Sequence, residues 1–210
     1  MKKAYNIEIE KFSANHQKLI DATIESISQR GLSETTISHV STLAGVSQGY
    51  AHFRFKSKEN LLISSLKYLS DEYKDSWSSI FKEKNLLPLN RLIKIIENDF
   101  HPRIASRKKI AVWFSFYSEV KFIPAYQSIC QDQDHIYFDQ LKKVIQDIVD
   151  NTSNKNLDSS EISETYLSLV DGLWQKILFD RKHYSNEFCK NLTYQYFKSI
   201  FPNENLLEKK

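Results

Sequence analysis

Two short apolar-periodic segments joined by a tight turn constrain this chain more than any other feature. Thr35 or Thr36 opens the first, with Ile37, Val40 and Leu43 spaced to face inward; Ser47 caps the second, which carries Gly49, Tyr50, His52 and Phe53. Helices this short do not persist alone in water, so each needs a partner to pack against. Ala44-Gly45-Val46 separates them. The glycine permits a sharp reversal, and the small Ala44 lets the two helices approach closely. The spacing is that of a helix-turn-helix. By spacing alone, an ordinary helical hairpin inside a core stays open as the alternative.

The flanking sequence is helical on both sides. Ser13 can cap a helix reaching to about residue 30, with Leu19, Ile20, Thr23, Ile24 and Ile27 on one face, and Gly31 supplies a left-handed stop. Ser57 caps the next helix, in which Leu61, Leu62, Leu66 and Leu69 recur on one side. Farther on, Pro88 starts a helix carrying Leu92 and Ile96, and Pro102 marks a break. An aromatic helix is expected over 106–120, followed by one starting at Pro124. A polar loop spans 151–160, Ser159 or Ser160 caps a helix to Phe179, and Asn186 starts the last one. With only 4 Gly and 4 Pro in 210 residues, the chain suits an all-α protein better than a turn-rich β fold. The formal net charge of +3 is too mild to mark a nucleic-acid binder, so that case rests on local residues.

Those local residues resemble the DNA-binding domain of TetR-type repressors. The resemblance lies in Thr35-Thr36-Ile37, in Ala44-Gly45-Val46-Ser47-Gln48-Gly49, and in Phe55-Lys56-Ser57-Lys58-Glu59-Asn60-Leu61-Leu62, and it runs without a gap over 14–62. It implies a three-helix DNA-binding domain at 1–62 followed by a helical ligand-sensing and dimerisation domain at 63–210. Thr36, Ser47, Gln48, Gly49, Tyr50, His52, Arg54 and Lys58 are then the candidate DNA contacts. Gln48 suits adenine, Arg54 suits guanine or phosphate, and Gly49 lets the backbone come close. Val46, Phe53 and Phe55 are left for the packing side. Lys58 stands in the first turn of a helix, where the macrodipole disfavours a cation; a phosphate there relieves the conflict. Many family members carry tyrosine in place of His52 and histidine in place of Arg54, so the contacts, and the operator read, are remodelled.

The second half resembles the choline-responsive branch of that family. Ala111-Val112-Trp113-Phe114-Ser115-Phe116-Tyr117 and Val170-Asp171-Gly172-Leu173-Trp174 carry the likeness, with Leu19-Ile20-Asp21-Ala22-Thr23 in the first helix. A quaternary ammonium has no donor to offer, and proteins hold one with aromatic faces and a nearby carboxylate. Trp113, Phe116, Tyr117 and Trp174 are the candidate faces, and Asp171 or Glu119 the charge. The same aromatic stripe also fits core packing. The last two helices are expected to pair in a homodimer through Leu167, Val170, Trp174, Ile177 and Leu178 on one and Phe188, Leu192, Tyr196, Phe197 and Ile200 on the other. Two-fold pairing implies a roughly palindromic double-stranded operator, from which a small-molecule inducer, choline by resemblance, releases the protein.

Other classes fit less well. The chain shows no nucleophile elbow, phosphate loop or metal-ligand spacing, which argues against an enzyme and against a cofactor. Cys130 and Cys189 lie far apart, as expected of two reduced core residues. Residues 1–12 are polar, and no apolar run nears the roughly 20 residues of a membrane span. A cytoplasmic protein without a membrane partner is expected. A regulator of efflux or another pathway, answering to an apolar or cationic ligand, keeps the fold and changes the input.

Overall fold

The computed structural model describes residues 14–152 and 155–203. Among them nine helices follow one another and no strand occurs, so the all-α expectation holds. The chain divides into two units, with the boundary between Ser65 and Leu66.

The first unit holds α1 (Ala14–Glu34), α2 (Ile37–Ala44), α3 (Gln48–Phe55) and the start of α4 (Lys58–Lys82). Ser13 lies outside the described residues. In α1 the residues Leu19, Ile20, Thr23, Ile24 and Ile27 are all buried, as the helical spacing requires. Gly31 interrupts α1 with φ 78° and ψ 176°. It supplies the positive φ expected of it, but in an extended rather than a left-handed helical conformation, so the chain continues past it for one more turn. Buried hydroxyls close that turn: Thr35 donates to the Gly31 carbonyl (2.8 Å) and lies 3.0 Å from the Ser26 hydroxyl.

Caps set the ends of the two short helices. Thr36, not Thr35, caps α2 by accepting from the His39 amide at 3.1 Å. Gly45 ends α2 in the left-handed region (φ 63°, ψ 35°), and its amide reaches back to the Ser41 and Thr42 carbonyls. Ser47 then caps α3 through the Tyr50 amide. Lys56 ends α3 at φ 65°, an uncommon conformation for a residue with a Cβ, and its amide donates to the His52 carbonyl. Ile37, Val40, Ala51 and Phe55 pack inward with α1. Two expected packing residues do not. Leu43 is 47% exposed in the last turn of α2, and Phe53 is 80% exposed on α3. Their positions fall on the outer arc once Val40 and Phe55 have taken the inner one.

The second unit holds the rest of α4 with α5 (Pro88–Asp99), α6 (Arg107–Tyr117), α7 (Pro124–Asn151), α8 (Ser159–Phe179) and α9 (Asn186–Ile200). Pro88 and Pro124 each stand at the first turn of a helix, where a missing N–H costs nothing. Ser106 and Ser185 cap α6 and α9. Asp158, rather than Ser159 or Ser160, caps α8 by accepting from the amides of residues 160 and 161. A carboxylate is the stronger acceptor there and also complements the helix dipole. α7 packs against α8, and Leu141, Val144, Ile145 and Ile148 of the one and Ile162, Tyr166 and Val170 of the other are buried. Val170, Trp174, Ile177 and Phe197, expected at a dimer surface, are buried within this unit. Phe188 and Leu192, expected there as well, are 45% and 38% exposed, and Phe179, not among the expected residues, is 72% exposed.

Candidate functional site

In the first unit, α3 presents one polar arc outward. Ser47, Gln48, Gly49 and His52 are exposed, and Tyr50 is half-buried. Thr36 is exposed at the start of α2. The free N-terminal amides of a capped helix and the side chains of its first turns are the parts that a duplex groove can admit. Thr36 and Ser47 serve as helix caps, and Arg54 and Lys58 are tied to other parts of the unit. Arg54 is half-buried, and its Nε donates to His16 Nδ1 at 2.8 Å, tying α3 to α1. Lys58 donates through Nζ to the Ser33 carbonyl at 2.5 Å, which holds the ammonium beside the α1–α2 connection. Ser57 accepts from the Asn60 amide and so caps α4. The exposed Phe53 beside His52 is a feature the sequence reading missed; only the helix phase set by Ala51 and Phe55 reveals it.

In the second unit a cavity of about 460 Å³ opens between α4, α6, α7 and α8. Of the candidate ligand-binding residues, Trp113, Tyr117, Asp171 and Trp174 line it. Phe116 does not. It is fully buried and meets Tyr126 edge-on at 4.9 Å between ring centroids. Glu119 is not part of the lining either. The remaining walls come from Tyr73, Gln133, Asp134, His135, Tyr137, Phe138 and Glu164, among others. Gln133, Asp134, Tyr137 and Phe138 share one face of a polar-looking stretch of α7, and only the packed bundle brings that face together with Tyr73 of α4 and Glu164 of α8.

The walls are aromatic and acidic together. Trp113 and Tyr117 stack at 5.8 Å, and Tyr73 meets Trp174 edge-on at 6.0 Å and Tyr137 at 5.7 Å. Asp134, Glu164 and Asp171 bring carboxyl groups to the same lining, where the described residues include no lysine or arginine. Asp134 and Asp171 retain exposed edges, yet the protein crowded around each carboxyl pushes both up to about 6. For Asp134 the desolvation is reinforced by the negative charge of Asp171, opposed next by the pull of His135, and reinforced least by Glu164. Asp171 is raised by desolvation alone; a cation among these carboxyls would offset the cost of ionising them there.

Behind the aromatic wall lies Asp99, the last residue of α5, fully buried. Three tyrosine hydroxyls donate to its carboxylate: Tyr73 to Oδ1 at 3.1 Å, and Tyr137 and Tyr166 to Oδ2 at 2.6 and 2.5 Å. Trp174 donates through Nε1 to the Asp99 carbonyl at 3.0 Å. Burial pushes Asp99 up to about 6, and the three hydroxyls hold it lower than burial alone would. This network orients Tyr73, Tyr137 and Trp174, all of which also line the cavity. It was invisible in the sequence because its members sit on separate helices far apart along the chain.

Comparison with known proteins matches both halves of the chain. Residues 19–64 match the family described as bacterial regulatory proteins, tetR family, and residues 88–202 match the BetI-type transcriptional repressor C-terminal family. The HTH-type transcriptional regulator BetI of Ectopseudomonas mendocina is 24% identical over 184 residues, covering 85% of this chain and 89% of the relative. The BetI of Brucella canis is 32% identical over 110 residues, which is 52% of this chain; the match spans about half of that relative, 55%. A crystal structure of a transcriptional regulator from Saccharomonospora viridis in complex with choline superposes with a TM-score of 0.76 at 17% identity, covering 92% of this chain and 97% of the other.

Proposed function

The chain belongs to the TetR family of bacterial regulatory proteins and carries a BetI-type repressor C-terminal domain; from that premise we propose a repressor released from its operator by a quaternary ammonium cation, with choline the first candidate. The observation that carries the proposal is the cavity itself. Trp113, Tyr117, Tyr73 and Trp174 offer aromatic faces, and Asp134, Glu164 and Asp171 offer negative charge, within one space of about 460 Å³. A cation over an aromatic face gains about 0.5–2 kcal/mol according to how far it is desolvated, and several faces act together. The same three carboxylates oppose an anionic ligand such as an acyl thioester. The choline bound by the Saccharomonospora viridis protein supports this ligand class for a chain of the same fold. The controlled genes would then be those of choline and glycine-betaine metabolism.

On the DNA side, we assign residues 1–62 to operator binding and 63–210 to sensing and pairing. Ser47, Gln48, Gly49, Tyr50 and His52 read the major groove, with Thr36 at the backbone. Lys58 exchanges the Ser33 carbonyl for a phosphate at the start of α4, and Arg54 reaches DNA only by leaving His16. Phe53 is placed to meet a thymine methyl. Phe179, Phe188 and Leu192 form the apolar face of a homodimer, whose two-fold axis demands an approximately palindromic site. Tyr73 lies on α4, the helix whose first residue is Lys58, so a ligand seated against Tyr73 acts on the chain segment that enters the DNA-binding unit. The protein is expected to work in the cytoplasm, and among the described residues no helix is long and apolar enough to cross a membrane.

The test is a melting-temperature titration followed by an operator-retention assay. Choline should raise the melting temperature saturably and release the DNA, whereas a long-chain acyl compound should do neither. Stabilisation by the acyl compound and not by any cation would overturn the proposal.

A further inference from the structure

One polar group in the cavity remains without a protein partner. Gln133 on α7 lines the cavity and is only 6% exposed. The Ser70 hydroxyl donates to its Oε1 at 3.4 Å, which orients the amide. Its Nε2 has no hydrogen-bond partner among the described residues. A buried amide nitrogen with two N–H donors and nothing to receive them is costly, and a bound molecule that supplies an acceptor removes the cost. The carboxylates of the same lining, Asp134, Glu164 and Asp171, do not fill that role here.

We propose that Gln133 is a specificity residue that donates through Nε2 to an uncharged oxygen of the ligand, so that the cavity selects a quaternary ammonium carrying a hydroxyl or ester oxygen. This rests on the cation reading above and goes beyond it. The aromatic faces and carboxylates recognise the ammonium end, which every quaternary amine shares. Gln133 recognises the other end. A carboxylate there would also accept from Nε2, but it would face Asp134, Glu164 and Asp171, so a zwitterion such as glycine betaine is turned away by charge. A ligand with a methyl group in place of the oxygen leaves the amide nitrogen dry and unpaired. At seven non-hydrogen atoms and about 30 Å³ for each water-sized group, choline fills roughly 200 Å³. The cavity therefore also has room for an ester extension on the same oxygen.

The experiment is calorimetric titration of the full chain with four probes. Choline carries the hydroxyl, acetylcholine the ester, propyltrimethylammonium a methyl group in its place, and glycine betaine a carboxylate. Wild-type protein should bind choline or acetylcholine about tenfold or more tightly than propyltrimethylammonium, and glycine betaine most weakly. Which of the first two binds better distinguishes an alcohol from an ester as the recognised group. In Gln133→Met the preference for oxygen should shrink to about twofold or less, through weaker binding of the oxygenated probes with propyltrimethylammonium unchanged. Gln133→Leu, a second apolar replacement that removes the donor, should also lose the preference and leave propyltrimethylammonium unchanged. If either variant fails to fold, the wild-type series alone decides. Equal binding of choline, acetylcholine and propyltrimethylammonium to wild type overturns the role of Gln133 and leaves the cation reading standing. No binding of any of the three cations overturns both.

Discussion

Replacing Asp99 with asparagine tests whether the buried carboxylate behind the cavity carries charge at neutral pH. Asp99 is fully buried, accepts from three tyrosine hydroxyls, and is pushed up to about 6 from the ordinary value of 3.8. A carboxyl with a raised value holds its proton more tightly when folded than when unfolded. The folded state therefore binds more protons between the two values, and stability falls as pH rises through that window. The full loss is roughly 3 kcal/mol at about 1.4 kcal/mol per tenfold change in proton affinity, and roughly 1 kcal/mol of it falls between pH 5 and pH 7. Asparagine keeps an acceptor for Tyr137 and Tyr166 and cannot ionise. The stability of Asp99→Asn relative to wild type should therefore grow by roughly 1 kcal/mol from pH 5 to pH 7, or about 2–4 °C in melting temperature for a chain of this size. Denaturant unfolding of both proteins at the two pH values, at one protein concentration, measures the difference. Taking the difference removes the contributions of Asp134 and Asp171, which are raised in the same direction. A gap identical at both pH values refutes the reasoning.

Three further outcomes are expected. Cation affinity should fall as pH drops from 7.5 to 5, by about tenfold for each of Asp134 and Asp171 that the ligand needs ionised, because both sit near 6; a flat calorimetric profile would remove them from the site. Lys58→Ala should weaken binding to every DNA sequence alike and reduce the slope of log affinity against log salt by about 0.9 for each phosphate left unneutralised; an unchanged slope would leave Lys58 as a tie to Ser33 only. Gln48→Ala should cost about 1–3 kcal/mol on the cognate operator and little on unrelated DNA, read by gel retention against both.

The features legible in the sequence are those whose physics is local. A threonine or serine whose oxygen meets an amide three residues on, and a glycine free to take positive φ, settle their own geometry, which is why Thr36, Gly45 and Ser47 stand where the spacing placed them. Helical periodicity likewise identified the buried face of α1 from Leu19 to Ile27. Beyond that range the sequence stops deciding. Phe116 and Tyr117 are neighbours of similar size, and only the positions of α7 and α8 send one into the core and the other to the cavity. Phe53 reads as a core residue until Ala51 and Phe55 occupy the inner face. Asp99 lies 26 residues from Tyr73, 38 from Tyr137 and 67 from Tyr166, yet all four meet at hydrogen-bonding distance. A buried charge gains its partners from whichever helices pack around it, and a cavity exists only in the space between helices. The caps of α2 and α3, the turn between them and the inner face of α1 were thus determined residue by residue. The acidic aromatic cavity, and the unpaired amide of Gln133 within it, were decided by tertiary packing.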